Sequence, residues 1–399
     1  MPLKGIKVVE FVGLAPGPFC GKILADFGAL VTRIDKSPVN QIDVFQEGKR
    51  TIALNLKHAK AQEIAKKICL SSDVVLEPFR PGVMERLNLG PNELLKQNKR
   101  LIYACLTGFG QSGSLSQRAG HDINYVALSG ILSLLGRKSE KPTPPINILA
   151  DLAGGSLMCA FGIVAALFER AKSGKGQIID AAMVDGTAYI GSWLMKSQEM
   201  PMKVCGADNR GENVLDSGYH FYDTYETKDG KFMSVGAIEP QFYEDLIKVL
   251  NLDGELDQFS DNEKLKEIFT EKFKTKTQSE WTAIFNEVDA CVFPVLTPEE
   301  ARNHSHNRER ETFLKSGDET DTVIINPAPK LSRTPAELAK SRFKQYNSDY
   351  VREAEEILNE IGIKKSELKK LQEDDIVRFE SSNNIHKTVH HTCKGYKKK

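Results

Sequence analysis

Short apolar runs alternate with amphipathic stretches along the first half of the chain. Runs rich in β-branched and other apolar residues predict buried strands at 6–12, 29–34, 51–54, 73–77, 101–106 and 177–183. The stretches between them predict helices, among them 19–27 and the strongly apolar 152–168. Buried strands that alternate with helices are typical of βαβ units, so we expect an α/β fold with a doubly wound parallel sheet.

The pattern changes near residue 221. Apolar runs at 221–226 and 232–235 flank Lys228-Asp229-Gly230, which predicts a β-hairpin. Helices are predicted at 242–250 and 264–288, and a short strand at 291–295. Thr297, followed by Pro298 and Glu300, predicts a capped helix start. This mixture indicates a second, smaller domain of the α+β class.

Composition shifts divide the chain into five predicted parts. They are a large α/β domain at 1–199, a linker at 200–220, the small domain at 221–330, a C-terminal segment at 331–380 that returns to the large domain, and a tail at 381–399. The tail carries five lysines, three histidines and no acids, which predicts disorder or a contact with an acidic partner.

Charge and cysteine content narrow the class of function. Lysine plus arginine equals aspartate plus glutamate, at 54 each, which argues against a nucleic-acid partner. The seven cysteines are dispersed without a CxxC pair, so we expect reduced thiols and no metal site. The run 152–168 is short for a membrane span and contains Gly154-Gly155, which favours a helix packed on the sheet and no membrane span.

The first βα turn raises the possibility of a dinucleotide site. Glycines follow the first strand, and Asp35 lies about twenty residues further on. However, Gly13, Gly17 and Gly21 do not form GxGxxG, and the prolines at 16 and 18 remove N–H donors that a pyrophosphate needs. We therefore disfavour NAD binding.

One histidine and one aspartate lie at the mouths of two loops. His121 follows the strand at 101–106 and its glycine-rich turn, and Asp151 precedes the apolar helix. Together they have the residue types of an acid/base pair. The plainer alternatives are that Asp151 is a helix N-cap and that His121 is a loop histidine bonded to the backbone.

Cations recur where predicted strands end. Lys36, Lys57, Arg80 and Arg86 lie at or after these ends, with Arg33 just before one. Ligands of open α/β sheets bind beyond the carboxyl ends of the strands, so a phosphate-bearing ligand is a candidate. Ordinary solvated charge is the alternative.

Nine segments together resemble the family III CoA-transferase superfamily, and in particular its branch of racemases. The segments are VVEFVGLAPGPFC at 8–20, ADFGA at 25–29, LEPFR at 76–80, GVME at 82–85, GFGQSG at 108–113, GHDINY at 120–125, ADLAGG at 150–155, GKGQ at 174–177 and VGAIEPQFY at 235–243. The similarity is ordered and spans roughly residues 3 to 375.

This resemblance implies an isomerase that racemises 2-methylacyl-CoA thioesters in fatty-acid and bile-acid metabolism. It implies no metal or redox cofactor, because CoA is part of the substrate. The acid/base pair of the family falls on His121 and Asp151, the carboxylate that supports the histidine on Glu239, and a polar site residue on Asn147.

The resemblance also implies CoA contacts and a homodimer. Family members form interlocked dimers in which the active site combines one subunit's large domain with the other's small domain. An arginine of the family is replaced here by Lys36, which keeps the charge but loses the bidentate fork. The implied CoA-contacting positions are Lys36, Leu54, Asn55, Leu56, Lys57, Arg80, Arg86, Gly120, Asp122, Ile123, Asn124 and Tyr125, together with His121.

Localisation follows from the resemblance alone. Relatives lie in mitochondria or peroxisomes, whereas this chain shows no clear targeting signal and ends in Lys397-Lys398-Lys399 rather than a Ser-Lys-Leu-like signal. We expect a mitochondrial or peroxisomal protein, with a cytoplasmic location as the alternative.

Two other functions compete with the racemase. In a CoA-transferase of the same fold, Asp151 would be the nucleophile. Those relatives carry a glycine-rich loop where this chain has Ala237-Ile238-Glu239-Pro240, and they lack the run at 120–125. In a non-catalytic acyl-CoA binder, the presence of His121, Asp151 and Glu239 together would be unexplained.

Overall fold

The computed structural model describes residues 1–37, 43–200, 204, 206, 209–252, 257–315, 323–337 and 348–379. The chain forms two compact units. The larger unit contains 1–125, 147–189 and 314–399, and the smaller contains 126–146 and 190–313. The predicted tail at 381–399 and residues 201–203, 205, 207 and 208 of the predicted linker lie outside the described residues.

The strands and helices follow in chain order. The strands are β1 Lys7–Phe11, β2 Leu30–Asp35, β3 Arg50–Ala53, β4 Val74–Glu77, β5 Ile102–Thr107, β6 Ile178–Ala182, β7 Tyr222–Glu226, β8 Phe232–Gly236, β9 Val292–Pro294, β10 Phe313–Lys315 and β11 Val323–Ile325. The helices of the first half are α1 Pro16–Asp26, α2 Ala59–Leu70, α3 Val83–Arg86, α4 Pro91–Gln97, α5 Asp122–Leu128, a 3₁₀ turn Ile131–Leu134, a π-helix Ile148–Leu157, α6 Met158–Ser173, α7 Met183–Ile190 and α8 Ser192–Ser197. Those of the second half are α9 Pro240–Val249, α10 Asn262–Phe273, α11 Gln278–Phe285, α12 Pro298–Asn303, α13 Ser305–Glu309, α14 Ser348–Glu360 and α15 Lys365–Glu373.

The larger unit is built on a six-stranded parallel sheet. Its order is β3-β2-β1-β4-β5-β6, so the direction of winding reverses between β1 and β4. The central strands are buried on both faces, which explains why apolar residues predominate in them. The predicted doubly wound α/β fold is confirmed.

The C-terminal helices pack on this sheet. Ala354 and Ile357 of α14 and Leu371 of α15 belong to the same core as Val9 and Ile52. Glu353 is also buried, and its carboxylate accepts a hydrogen bond from the Thr51 backbone N–H at 2.9 Å. The last described stretch of chain is therefore held against the β3 edge of the sheet.

The smaller unit has an antiparallel sheet with helices on it. Its order is β7-β8-β9, and its first two strands form the predicted hairpin. Aromatic side chains fill the core: the rings of Tyr225 and Phe273 stack at 5.1 Å, and Trp281 donates to the Phe273 carbonyl at 2.8 Å. The predicted α+β class of this unit is confirmed.

The boundaries of the units differ from the predicted ones. Residues 126–146 belong to the smaller unit, where Arg137 pairs with Asp223 at 2.8 Å, and 314–330 belong to the larger. The predicted linker also contributes to the core of the smaller unit, because its Val214 is buried in that core. The segment is therefore more than a spacer.

Two predicted helices differ in form. The prediction for 264–288 was a single helix, but α10 and α11 are separate because Thr277 and Glu280 form a capping box that starts a new helix. The prediction for 152–168 missed the π-helix that precedes α6.

One helical run of the described residues is long and apolar enough to cross a membrane by length and composition. It spans Ile148–Ser173 and joins the π-helix to α6. Cys159, Ile163 and Ala166 are buried, and α6 packs on α1, β5 and β6. One face of this run therefore belongs to the core of the larger unit.

Candidate active site

Two adjoining cavities lie at the carboxyl ends of the strands, where the winding reverses. The histidine cavity has a volume of about 450 Å³ and is lined by His121, Asp151 and Tyr125 among others. The lysine cavity has a volume of about 920 Å³, and Lys36 and Lys57 are among its lining residues. Both are lined by Gly13, Leu14 and Phe79, so they adjoin at these residues. The reversal point is where ligands bind in doubly wound folds.

The turn after β1 makes room for this site. Gly13 approaches Pro78 so closely that a Cβ on Gly13 would lie 2.5 Å from the proline Cγ. Pro16 occupies the first turn of α1, where its missing N–H costs nothing. The turn is therefore built for close packing of β1 against β4 rather than as a backbone cradle for phosphate.

Asp151 is a buried carboxyl group inside the π-helix. Its residue is 8% exposed, and one oxygen accepts a hydrogen bond from Asn147 Nδ2 at 3.2 Å. Burial raises its pKa to about 6, and the nearby Asp122 carboxylate adds to the rise; the Asn147 bond and the charge of His121 act in the opposite direction. The N-cap interpretation of Asp151 is wrong, because the helix begins earlier, with Asn147 at the cap position.

Asp122 fixes the backbone around Asp151. Its residue is 1% exposed, and Oδ1 accepts hydrogen bonds from the backbone N–H groups of Ala150 and Asp151, both at 2.8 Å. Its second oxygen is buried without a hydrogen-bond partner among the described residues. Asp122 therefore holds the first turn of the π-helix in place from the start of α5.

His121 is exposed and immediately precedes α5. Its backbone N–H donates to Asn124 Oδ1 at 3.1 Å, and the Asn124 N–H donates to the His121 carbonyl at 2.8 Å. These bonds fix the backbone of the histidine and leave its imidazole at the wall of the histidine cavity. The two residues predicted as an acid/base pair thus line one cavity.

Tyr125 forms the floor beside them. A Cβ on Gly108 or on Gly120 would lie 2.3 Å or 2.7 Å from its ring, and its hydroxyl donates to the Gly120 carbonyl at 2.5 Å. The glycines of the two loops are therefore needed for the ring to fit.

The other predicted positions divide between the cavities. Lys36, Leu54, Asn55, Leu56 and Lys57 all line the lysine cavity, and Arg80 and Gly120 line the histidine cavity. In contrast, neither cavity is lined by Arg86, Asp122, Ile123, Asn124 or Asn147.

Arg33 and Glu239 have different surroundings from the cavity residues. Arg33 is fully buried and forms ion pairs with Glu10 and Asp35, both at 3.6 Å, so its charge is not available to a ligand. Glu239 is exposed in the smaller unit, at the N-terminus of α9.

Sequence reasoning missed one residue of the lysine cavity, Arg378. It lies within the segment predicted to return to the large domain, and no local motif marks it. Within the described part of the chain, no cluster of His, Cys, Asp or Glu has the composition and size to hold a metal ion.

Comparison with known proteins assigns this chain to a family. Residues 3–342 match CoA-transferase family III. The chain is 51% identical to the alpha-methylacyl-CoA racemase of Mus musculus over 381 residues and to that of Homo sapiens over 383, in each case covering 94% of this chain and 98% of the relative. The crystal structure of a CaiB/BaiF family protein from Brucella suis has the same fold, with a TM-score of 0.75 at 22% identity, covering 90% of this chain and 99% of that one. The chain belongs to CoA-transferase family III.

Proposed function

We propose that the protein is a racemase that interconverts (R)- and (S)-2-methylacyl-CoA thioesters. The observation that carries the proposal is that His121 and Asp151 line one cavity at the reversal point of the sheet. The 51% identity to two α-methylacyl-CoA racemases supports the same reaction.

The reaction needs a base on one side of the α-carbon and an acid on the other. The proton α to a thioester is weakly acidic, and a positioned acid or base contributes about 10²–10⁴-fold. A pKa of about 6 suits Asp151 to both roles near neutral pH, because ionised and protonated forms are both accessible. By the family resemblance His121 removes the proton of the (S) substrate and Asp151 that of the (R) substrate.

The enolate oxygen also needs stabilisation. Two N–H groups in the first turn of the π-helix, those of Ala150 and Asp151, already donate to Asp122. At the start of α5 the N–H groups of Asn124 and Tyr125 donate to the His121 carbonyl, so those of Asp122 and Ile123 are the better candidates. The proposed reaction uses no metal or organic cofactor.

CoA would extend across both cavities. If the thioester lies between His121 and Asp151, the remainder of the CoA would pass Gly13, Leu14 and Phe79, which line both cavities, and enter the lysine cavity. Lys36 and Lys57 would then meet its phosphates, and Arg80 would meet the part nearer the thioester. Contact of Arg86 with phosphate stays a prediction from the resemblance.

We propose a homodimer as the active form. The outer face of the helical run formed by the π-helix and α6 supports it: Leu157, Phe161 and Phe168 are 53%, 65% and 66% exposed, and soluble proteins rarely leave such apolar faces uncovered. In the family's interlocked arrangement Glu239 of the partner subunit would support His121. A mitochondrial or peroxisomal location stays a prediction, to be checked by imaging the tagged full chain.

The competing function is CoA transfer with Asp151 as nucleophile. One experiment separates the two: the protein is incubated in D₂O with (R)- or (S)-2-methylacyl-CoA, with and without an added carboxylic acid. We expect deuterium at the α-carbon, loss of enantiomeric purity, and no CoA on the added acid. Transfer of CoA without α-deuterium would establish the transferase instead. If neither reaction occurred, the protein would be a non-catalytic acyl-CoA binder.

A further inference from the structure

The backbone at Arg378 is held against the edge of the parallel sheet. The Arg378 N–H donates to the Ala53 carbonyl at 3.0 Å, and the Asn55 N–H donates to the Ile376 carbonyl at 3.0 Å. Between them Val377, which is fully buried, pairs with Leu54 in an antiparallel bridge. The segment 376–378 therefore extends the sheet by a short stretch beside β3, which fixes where the arginine leaves the backbone.

The side chain of Arg378 is held equally firmly. Its Nε and Nη2 donate to the two oxygens of Asp375, each at 2.8 Å, and its Nη1 donates to the Lys36 carbonyl at 3.3 Å. Asp375 also accepts a hydrogen bond from Asn55 Nδ2 at 2.8 Å. The guanidinium is thus tied to two residues of the cavity wall, so little side-chain freedom is lost when a ligand binds.

The guanidinium keeps donors for a ligand. It carries five N–H groups, and among the described residues Asp375 and the Lys36 carbonyl use three of them. Its side chain is 39% exposed and belongs to the wall of the lysine cavity. A planar group with N–H donors remaining is well suited to a phosphate, and more so than the flexible ammonium of Lys36 or Lys57.

The position along the two cavities indicates which phosphate. The thioester end of the substrate belongs at His121 and Asp151, in the histidine cavity, and Arg378 lies in the other cavity. The opposite end of CoA is its adenosine, which carries a 3′-phosphate. The charged residues that line the lysine cavity are Asp35, Lys36, Lys57 and Arg378, so positive charge predominates there.

We propose that Arg378 binds the 3′-phosphate of the CoA adenosine, and that the C-terminal segment after α15 is therefore part of the substrate site. The inference rests on the proposed acyl-CoA function and deepens it by naming a residue and the group it recognises. It also explains the hydrogen bonds that join Asn55, Asp375 and Arg378, because they hold the guanidinium in position at the wall of the lysine cavity.

The test compares CoA with 3′-dephospho-CoA, which lacks only that phosphate. Binding of both ligands is measured by calorimetry for wild type, Arg378→Ala and Arg378→Gln, with Arg352→Ala as a matched control. Arg352 is an exposed arginine of the same segment, on α14, and lines neither cavity. Arg378→Gln keeps most of the side-chain length, so it remains informative if the alanine variant folds poorly.

We expect wild type to bind CoA more tightly than dephospho-CoA. Removing the arginine should weaken CoA binding about tenfold, as for one lost charge-assisted contact, and change dephospho-CoA binding less than about twofold. Equal weakening for both ligands, or none for either, would overturn the inference and leave the proposed function intact. Wild type that binds neither ligand would overturn both.

Discussion

The two cavities handle charge in opposite ways. Asp151 lines the histidine cavity as a buried carboxyl group, and the buried Asp122 behind it is close enough to raise its pKa. In the lysine cavity the cations stand at an open wall, and Arg378 is 39% exposed on its side chain. Buried charges interact strongly because water screens them little, and exposed charges interact weakly.

The difference separates chemistry from binding. A carboxyl group that must exchange a proton near neutral pH needs a raised pKa, and burial beside a second carboxylate provides it. A cavity that only has to hold phosphates can use exposed cations, each of which contributes modestly. We therefore expect large effects from substitutions at the acid/base pair and small effects from single substitutions of the exposed cations in either cavity.

The largest effect is expected at the acid/base pair. His121→Gln and Asp151→Asn should each lower racemisation by about 10²–10⁴-fold or more, because inversion needs a group on both sides of the α-carbon. Chiral analysis of the acyl-CoA product measures this in both directions. CoA affinity should stay within about threefold, and a His121 variant that still racemises at the wild-type rate would contradict the pair.

Subunit mixing tests whether the histidine cavity is completed by the partner. His121→Ala and Glu239→Ala homodimers should both be inactive. After the two are refolded together, one site in each mixed dimer is intact if Glu239 acts across the dimer, so about a quarter of wild-type activity should return. No recovery in a mixture shown by mass spectrometry to contain mixed dimers would place Glu239 with its own subunit's histidine or remove its role.

A smaller effect is expected for an exposed cation. Arg80 is exposed and lines the histidine cavity. Arg80→Ala should raise the dissociation constant of CoA about fivefold to tenfold, since a charge-assisted contact at an exposed site is weakened by solvent. Calorimetry measures it. Arg100→Ala is the control. Arg100 precedes β5, at the amino ends of the strands and away from the cavities, and its guanidinium donates a hydrogen bond to the Gly174 carbonyl.

The smallest effect concerns pH. When Asp151 is the base it must be ionised, so the rate from the (R) substrate should fall as the pH drops through about 6. Asp122→Asn keeps an oxygen for the N–H groups of Ala150 and Asp151 but removes the like charge. The pKa of Asp151 should then fall, and the acid limb of kcat/KM should move to lower pH.

A pH–rate profile of the (R) reaction measures this shift. Asp185→Asn, which changes an exposed acid on α7, should leave the limb in place. A limb that does not move in Asp122→Asn, or that moves to higher pH, would show that Asp122 does not set the pKa of Asp151.

The sequence predicted those parts of the fold that depend on local pattern. The strands from β1 to β6 are short runs rich in apolar residues that alternate with helices, and this pattern predicts their positions and their parallel arrangement. The break between α10 and α11 is also encoded locally, because Thr277 and Glu280 have the spacing of a capping box.

The remaining features depend on distant contacts. The π-helix around Asp151 is preceded by left-handed backbone at Ile146 and Asn147. Two of its N–H groups donate to Asp122, which lies at the start of α5. Arg378 donates a hydrogen bond to the Lys36 carbonyl, although the two residues are far apart in the sequence. No local pattern encodes either, and the resemblance supplied the candidate residues but not these supports.

The most direct test of the central claim follows each proton separately. α-Hydrogen exchange with D₂O is measured for pure (R) and pure (S) substrate in wild type, His121→Gln and Asp151→Asn. We predict exchange of both enantiomers in wild type. In Asp151→Asn only the (S) substrate should exchange, and in His121→Gln only the (R) substrate, in both cases with retained configuration. Loss of exchange for both enantiomers in each variant, or exchange of the opposite enantiomer, would contradict the assignment of one proton to each residue.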